Sequence, residues 1–332
     1  MSFTQNDIRP VELEAAKTRE IERDMQWLVA RQAQFVPAAC PACAKDDPRP
    51  AFDKYGFRFV ECPHCRTVYM SPRASPALMA EFYATSKNYE FWDKHVFPAS
   101  RVVRREKIFR PRVEQLIALL DRLGIAPAVA MDVGASVGIF LEALRETGRF
   151  TRMLAVEPNA AQAETCRRLG FETIEADFFS IARFDEPITM ITAFEVIEHL
   201  YSPRDFLVRC HSLLAPRGIV AISCPNQFGF DIQTLGPQSQ SFDVEHVNMF
   251  NPAALTGLFS DCGFDVTECI TPGELDAQIV REAALAGSVN FDGQPFLKTV
   301  LLDRWDELGR PFQQFLKSAN LSSSMWVTAV RS

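Results

Sequence analysis

From Ala128 onward the chain alternates short apolar runs with helix-period stretches, a texture that few folds accept. Strand-length apolar runs fall at 129–133, 153–156, 172–176, 188–194 and 218–223, separated by helical patterns at 139–147, 160–169 and 203–214. Strands interleaved with helices build βαβ units, in which a mostly parallel sheet lies buried under helices on both faces. Residues 264–270 and 325–330 are two further strand candidates for the edge of that sheet. The stretch between them, 273–321, is helix-patterned and too long for a plain connection, which predicts a helical cap inserted into the α/β domain.

Upstream the texture differs. Residues 10–34 set Ile21, Met25, Leu28 and Val29 among Glu, Lys, Arg and Ala, the pattern of an exposed amphipathic helix. Pro37 and Pro41 end that pattern, and a compact Cys/Pro/aromatic segment runs to about Met70. Ser75-Pro76 opens a short helix at 77–83, and 100–123 reads as a long helix kinked or interrupted at Pro111. The expected organisation is an N-terminal helix at 1–36, a zinc ribbon at 37–75, a helical lead-in at 76–127 and the α/β domain at 128–332.

The ribbon follows from cysteine spacing. Cys40-Pro-Ala-Cys43 and Cys62-Pro-His-Cys65 are two C-x2-C pairs at the separation zinc sites use. Four thiolates leave a tetrahedral zinc no open position, so the expected ion is structural. Its binding supplies folding energy to a segment too small for a core of its own. His64, inside the second pair, is expected to hydrogen-bond outward rather than ligate. Cys166, Cys210, Cys224, Cys262 and Cys269 show no pairing pattern and read as small core residues.

Charge narrows the partners. The 35 basic and 42 acidic residues leave a net charge of −7, a field that opposes nucleic acid. The densest basic run, Arg101 to Lys107 with Arg110 and Arg112 beyond it, reads as a solvated helix face ahead of an anion patch. No stretch approaches the ~20 apolar residues of a membrane span. The first residues lack a basic-then-apolar leader pattern, so a cytoplasmic protein is expected.

Residues 130–140 join an apolar strand, a glycine-containing turn and the first turn of a helix. Gly134 and Gly138 let the backbone pass close to a ligand where a Cβ would collide. Position 136, where the dinucleotide fingerprint wants another glycine, is Ser. About 20 residues on, Glu157-Pro158 ends the second strand with a carboxylate suited to two ribose hydroxyls. Loop and acid together favour an adenosine-containing ligand and leave a nicotinamide dinucleotide and S-adenosylmethionine both open.

Later motifs separate the two. Asp132-Val-Gly-Ala-Ser-Val-Gly138, Glu157, Ala176-Asp177-Phe178, Phe194-Glu-Val-Ile-Glu-His-Leu200 and the stretch 214–226 stand in order at consistent spacing. Across roughly residues 109–270 the chain thereby resembles the class I S-adenosylmethionine-dependent methyltransferases. The resemblance implies a Rossmann-like, mostly parallel seven-stranded sheet and S-adenosylmethionine as cofactor. It implies Asp132, Gly134, Ala135, Ser136 and Gly138 around the methionine part, and Glu157-Pro158 at the ribose. Asp177-Phe178 would then meet the adenine, and Phe194-Glu195 would line the pocket. The stretches 62–83 and 321–330 are similar to bacterial zinc-binding methyltransferases that act on sugars, which implies a carbohydrate acceptor, free or nucleotide-linked.

Methyl transfer from a sulfonium is an in-line displacement, so the protein must align the acceptor and take its proton. Two of the five histidines follow strand ends. Glu245-His246 resembles the Glu-His pair of sugar C-methyltransferases, which implies His246 as base with Glu245 orienting it; the alternative is a loop-capping histidine. His199 is the second catalytic candidate. Glu195, Glu198 and His199 match a Glu-x-x-Glu-His stretch that binds a divalent ion in ubiquinone-pathway O-methyltransferases. A carboxylate–histidine group alone does not specify a metal, and pocket lining is the expected role. Tyr83, Tyr89, Phe91 and Trp92 are placed to fold over the cofactor or a sugar, but at that density packing is the expected role. A sugar methyltransferase is the leading expectation; RNA or a quinone-like acceptor, and a non-catalytic zinc-ribbon scaffold, are the alternatives.

Overall fold

The computed structural model describes residues 4–181, 184 and 186–332. Its strands in chain order are β1 (Arg49–Lys54), β2 (Phe57–Glu61), β3 (Val68–Met70), β4 (Val129–Val133), β5 (Arg152–Val156), β6 (Glu172–Ile174), β7 (Ile188–Phe194), β8 (Leu214–Pro225), β9 (Asn248–Met249), β10 (Phe264–Ile270) and β11 (Ser324–Arg331). Seven of them form one sheet in the order β10-β11-β8-β7-β4-β5-β6. Neighbours are parallel except for β11, which runs antiparallel to both β10 and β8. The Rossmann-like sheet expected from the alternation is present, with both late strands in it.

Strand periodicity explains the two layers of core. Successive side chains of β4 point to opposite faces. Val129, Met131 and Val133 join one core with the helices Pro203–Leu213 and Pro252–Asp261. Ala130 joins the other, with the helices Arg110–Leu123 and Ile139–Arg145. After β6 the chain returns to place β7 on the far side of β4. That reversal opens a crevice at the carboxyl ends of β4 and β7, where open α/β sheets bind ligands.

The long lead-in helix is continuous through Pro111. A widened turn at Arg105–Phe109 joins Phe97–Arg104 to Arg110–Leu123, and it absorbs the backbone donor that proline lacks. Its basic residues are largely committed to neighbours: Arg101 reaches Glu142 at 2.7 Å and Arg110 reaches Glu146 at 2.7 Å. The insertion before β11 carries the helices Asp276–Leu285 and Trp305–Ser318 around Val280, Phe291, Leu301 and Leu316.

The N-terminal half is less separate than its sequence texture implies. β1, β2 and β3 form an antiparallel meander, and β9, from the α/β domain, pairs with β3 as the fourth strand. Ribbon residues Cys40, Val60 and Tyr69 share one core with β4 and β7. The helix Val11–Val29 is not simply solvated, since Lys17, Asp24 and Leu28 are all buried. No helix among the described residues is long and apolar enough to cross a membrane.

Candidate active site

The turn after β4 is shaped by its glycines. Gly134 has φ +71°, and a Cβ there would lie 2.6 Å from Cγ2 of Val196. Gly138 has φ +75° and opens the helix Ile139–Arg145. Ser136, at the place of the commoner glycine, adopts φ +49°, so the loop keeps a glycine-like path. Its Oγ is buried without a hydrogen-bond partner. Its N–H donates to Glu157 Oε2 at 2.8 Å, and Asn159 N–H donates to Oε1 at 2.9 Å. Each Glu157 oxygen retains lone-pair capacity for another donor. Burial lifts the Glu157 carboxyl to about 7, against the pull of those two backbone donors.

Asp132 lies beneath the loop and accepts the Thr192 hydroxyl at 2.6 Å. Burial raises it to about 7, with Thr192 opposing and Glu157 adding to the rise. Ala135 is buried in the turn, and Pro158 follows Glu157 on the rim. Asp177 is exposed, and its Oδ1 caps the turn Phe178–Ser180 by accepting Phe179 N–H at 2.8 Å. Phe178 packs into the core against Phe206. Phe194 stacks on Trp326 at 5.5 Å. Glu195 takes φ +55° at the end of β7 and accepts the Ser223 hydroxyl at 2.6 Å. A left-handed glutamate costs about 1–2 kcal/mol, and here it turns a carboxylate toward the crevice.

Sequence spacing did not single out Arg112. Its guanidinium sits 3.8 Å from Glu195 Oε1, above the rings of Phe109, Phe194 and Trp326. A lone arginine within a basic run carries no signal of that kind; its aromatic surroundings come from three separate elements.

The second group of candidates converges from distant segments. Nδ1–H of His199 donates to the Glu245 carbonyl at 3.1 Å, and Nδ1–H of His246 donates to the Ser241 carbonyl at 2.8 Å. Both imidazoles therefore present Nε2 lone pairs, and their ring centres are 4.8 Å apart. Glu198 completes the group: potential ligand atoms of Glu198, His199 and His246 all lie within 4.8 Å of one another. Glu198 is fully buried, and neither carboxylate oxygen has a hydrogen-bond partner. Burial, then Glu195, pushes its carboxyl well above the usual range. Burial, then His246, pushes His199 down to about 3, so it is a neutral imidazole.

The expected Glu245–His246 partnership does not form. Glu245 turns away to Tyr89 and to Asn88, 3.4 Å from its Oε1. The residue beside His246 is Asp243, whose Oδ2 lies 3.6 Å from Nδ1 and whose Oδ1 accepts the N–H groups of Glu245 and His246. Adjacent residues in this turn project differently, which the dipeptide alone could not reveal. Tyr83, expected to pack, brings a buried hydroxyl without a partner to the same place, and its ring meets His199 edge-on at 6.4 Å.

The four ribbon cysteines form a third cluster, their sulfurs all within 4.8 Å of one another. The two knuckles are copies of one turn. Ala44 N–H donates to Cys40 O and Arg66 N–H to Cys62 O, both at 2.9 Å, with φ +59° and +61° at Ala44 and Arg66. This donor set and spacing fit a tetrahedral zinc. His64 points away and pairs with Asp47 at 2.8 Å. From the ribbon, Arg73 donates to Asn248 Oδ1 and to the Tyr201 carbonyl, each at 2.6 Å. Asn251 Nδ2 donates to the Cys65 carbonyl at 2.8 Å. The ribbon thus braces the segment that leaves the His246 turn, at Asn248 and Asn251.

Comparison with known proteins agrees with this geometry. Residues 105–269 match the family described as Methyltransferase domain. A ubiquinone biosynthesis O-methyltransferase of Caulobacter vibrioides is 30% identical over 164 residues, 46% of this chain and 64% of that protein. A protein of Mycolicibacterium smegmatis named as an S-adenosylmethionine-dependent methyltransferase is 30% identical over 86 residues, 26% of this chain and 32% of its own. The chain thus spans less than two thirds of either relative. A chain from the complex of the Haloferax volcanii Trm112 activator with a methyltransferase superposes with a TM-score of 0.50 at 14% identity, covering 73% of this chain and 97% of that one. Residues 105–269 are thus similar to a methyltransferase domain, and both relatives are named as methyltransferases.

Proposed function

We propose that the chain transfers the methyl group of S-adenosylmethionine to a hydroxyl of a small polyhydroxylated acceptor, a free or nucleotide-linked sugar, positioned at Glu198, His199 and His246. The observation that carries this reading is the unpartnered Glu198 carboxylate beside two Nε2 lone pairs. Buried polar atoms without partners are rare and call for a ligand. In each histidine the other ring nitrogen donates to a backbone carbonyl, the support that metal-ligating imidazoles use. Glu198, His199 and His246 would hold a divalent cation, an ion that lowers the pKa of an acceptor hydroxyl when bound. The role expected of Glu195, Glu198 and His199 thus moves toward ion binding, with His246 in place of Glu195. Tyr83, Tyr89 and Glu245 wall the site and exclude water.

At the cofactor end, Glu157 accepts the ribose hydroxyls, the free oxygen of Asp177 meets the adenine amino group, and Arg112 faces the methionine carboxylate. Cys40, Cys43, Cys62 and Cys65 hold a structural zinc that fixes the turn preceding β9.

The test is mass spectrometry of product from S-adenosylmethionine and a panel of sugars and nucleotide sugars, searched for a gain of one methylene. Activity abolished by EDTA, restored by added magnesium or manganese, and lost in Glu198→Gln supports the reading. A second reading keeps His246 Nε2 as a general base without an ion, favoured by the nearby Asp243. Turnover that resists EDTA yet disappears in His246→Ala would select it. No methylated product with any hydroxylated acceptor would sink both.

A further inference from the structure

Two polar side chains meet where the ribbon joins the α/β domain, and both are buried against their solubility. Arg73 forms no ion pair among the described residues. Its backbone is fixed by a two-way pairing with Val36, each N–H donating to the other's carbonyl at 2.9 Å. Its guanidinium carbon lies 4.8 Å from the ring centre of Tyr201, which holds the plane of the group. The fork then divides, Nη1 donating to Asn248 Oδ1 and Nη2 to the Tyr201 carbonyl, each at 2.6 Å. Asn248 is fully buried and extends the grip. Its Nδ2 donates to the Leu200 carbonyl at 2.7 Å and to the Ile197 carbonyl at 3.3 Å. The amide can stand only this way round, because a guanidinium only donates and a carbonyl only accepts. Two side chains thus hold the backbone carbonyls of Ile197, Leu200 and Tyr201, and Glu198 and His199 are the residues enclosed. Asn248 itself stands in β9, two residues after His246.

A buried guanidinium without a carboxylate is costly, and an apolar side chain of similar volume fills such a space at less cost. What arginine supplies here is direction: a rigid fork whose two donors reach two separate segments at once. Asparagine is the matching residue. Aspartate could not donate to the carbonyls, and leucine could meet neither partner. We propose that Arg73 and Asn248 are positioning residues, which hold the turn bearing Glu198 and His199 in register with the segment that carries His246. This rests on the reading above that Glu198, His199 and His246 work together, and it names what aligns them. One bond reports the register directly. His199 Nδ1–H reaches the Glu245 carbonyl, at 3.1 Å, from one of these segments to the other. That bond fixes the Nδ1–H tautomer, whereas a neutral imidazole free in water favours Nε2–H.

The experiment is nitrogen NMR of full-length protein labelled at its five histidines, with His199 assigned through His199→Gln. The parent is expected to show His199 in the Nδ1–H form. Asn248→Asp turns the Arg73 contact into an ion pair, so the ribbon stays attached, but it removes the donor to Leu200 and Ile197. His199 is expected to revert to Nε2–H in that variant. Arg73→Gln should give the same change, and Arg73→Lys should rescue little, because an ammonium lacks the planar fork. Should Arg73→Gln fail to fold, Asn248→Asp decides. S-adenosylhomocysteine affinity is expected to be unchanged in Asn248→Asp. A parent without the Nδ1–H form overturns the inference, as does a variant that melts lower yet keeps the parent's His199 spectrum. Equal loss of S-adenosylhomocysteine binding in Asn248→Asp also overturns it, since the pair would then support the whole domain. Manganese titration of the same proteins adds a second reading, with affinity expected to fall about ten- to a hundredfold in Asn248→Asp, as loss of an outer partner does. A parent that binds no manganese refutes the ion of the proposed function and leaves the NMR result to judge this inference.

Discussion

The two halves of the crevice are built in different ways. The cofactor half is local: the turn 134–138 and Glu157 come from consecutive βα units, and Glu157 is held by backbone N–H groups of Ser136 and Asn159. The proposed acceptor half has no local scaffold. Glu198 and His199 follow β7, His246 precedes β9, Tyr83 and Tyr89 come from the lead-in, and a ribbon more than a hundred residues upstream braces the result. A site assembled from one supersecondary unit survives the loss of remote elements. One assembled from four segments depends on each of them.

The largest effect expected from this contrast follows removal of the ribbon metal. Cys62→Ser, or exhaustive chelation with a zinc-selective reagent, would remove the structural zinc proposed at the cysteine quartet, an ion whose binding contributes on the order of 10 kcal/mol to folding of such a segment. We expect methyl transfer to fall at least about a hundredfold while S-adenosylhomocysteine affinity stays within about threefold. Calorimetry and a turnover assay on the same preparation check this. Equal loss of both would show that the halves are not independent.

The opposite perturbation is Gly134→Ala. The new Cβ collides with Val196 at 2.6 Å, at a φ of +71° that alanine resists. A strain of about 1–2 kcal/mol corresponds to cofactor binding roughly five- to thirtyfold weaker. KM for the acceptor is expected to change little. A larger effect on acceptor KM than on cofactor affinity would break the distinction.

Legibility in the sequence follows the same division. The sheet could be read because its central parallel strands, buried on both faces, leave continuous apolar runs, while the edge strands β6 and β10 are partly exposed. Ser136 could be read as a loop residue because its neighbours Gly134 and Gly138 mark the turn. Glu245 misled, since a dipeptide does not reveal that its side chain turns to Asn88 and Tyr89 while Asp243 approaches His246. β9, two residues long, has no periodicity to detect, yet it joins the ribbon to the turn that carries His246. Asp24 and Arg112 were invisible for a related reason: each is a charged residue in a charged helix, and only tertiary partners reveal that it is buried.

Asp24 offers a milder probe of the acceptor half. Its carboxylate accepts Ser86 Oγ–H at 2.5 Å and the N–H groups of Lys87 and Asn88 at 2.9 Å each. These bonds tie the helix Val11–Val29 to the segment that carries Tyr89 and Asn88 onto Glu245. Asp24→Asn keeps the size but points an amide donor at existing donors, a loss of about 1–3 kcal/mol. We expect kcat/KM for the acceptor about tenfold lower, partly restored in Asp24→Glu, with cofactor affinity unchanged. A merely structural role would lower both together.

The smallest effect belongs to the cofactor half and is read through pH. Burial raises both Asp132 and Glu157 to about 7, far above their values in an unfolded chain. Between those limits the folded state binds more protons than the unfolded one, so stability falls as pH rises. The contribution is fully present below the unfolded values and is gone once pH passes the folded ones. Cofactor-free protein should therefore lose melting temperature between about pH 5 and pH 7.5. Glu157→Gln should flatten that slope, because an amide has no proton to lose. Hydroxyl donors from a bound ribose favour the ionised carboxylate, so cofactor affinity should rise over the same interval in the parent protein and stay level in the variant. A cofactor affinity that rises equally in both would remove Glu157 from the ribose site.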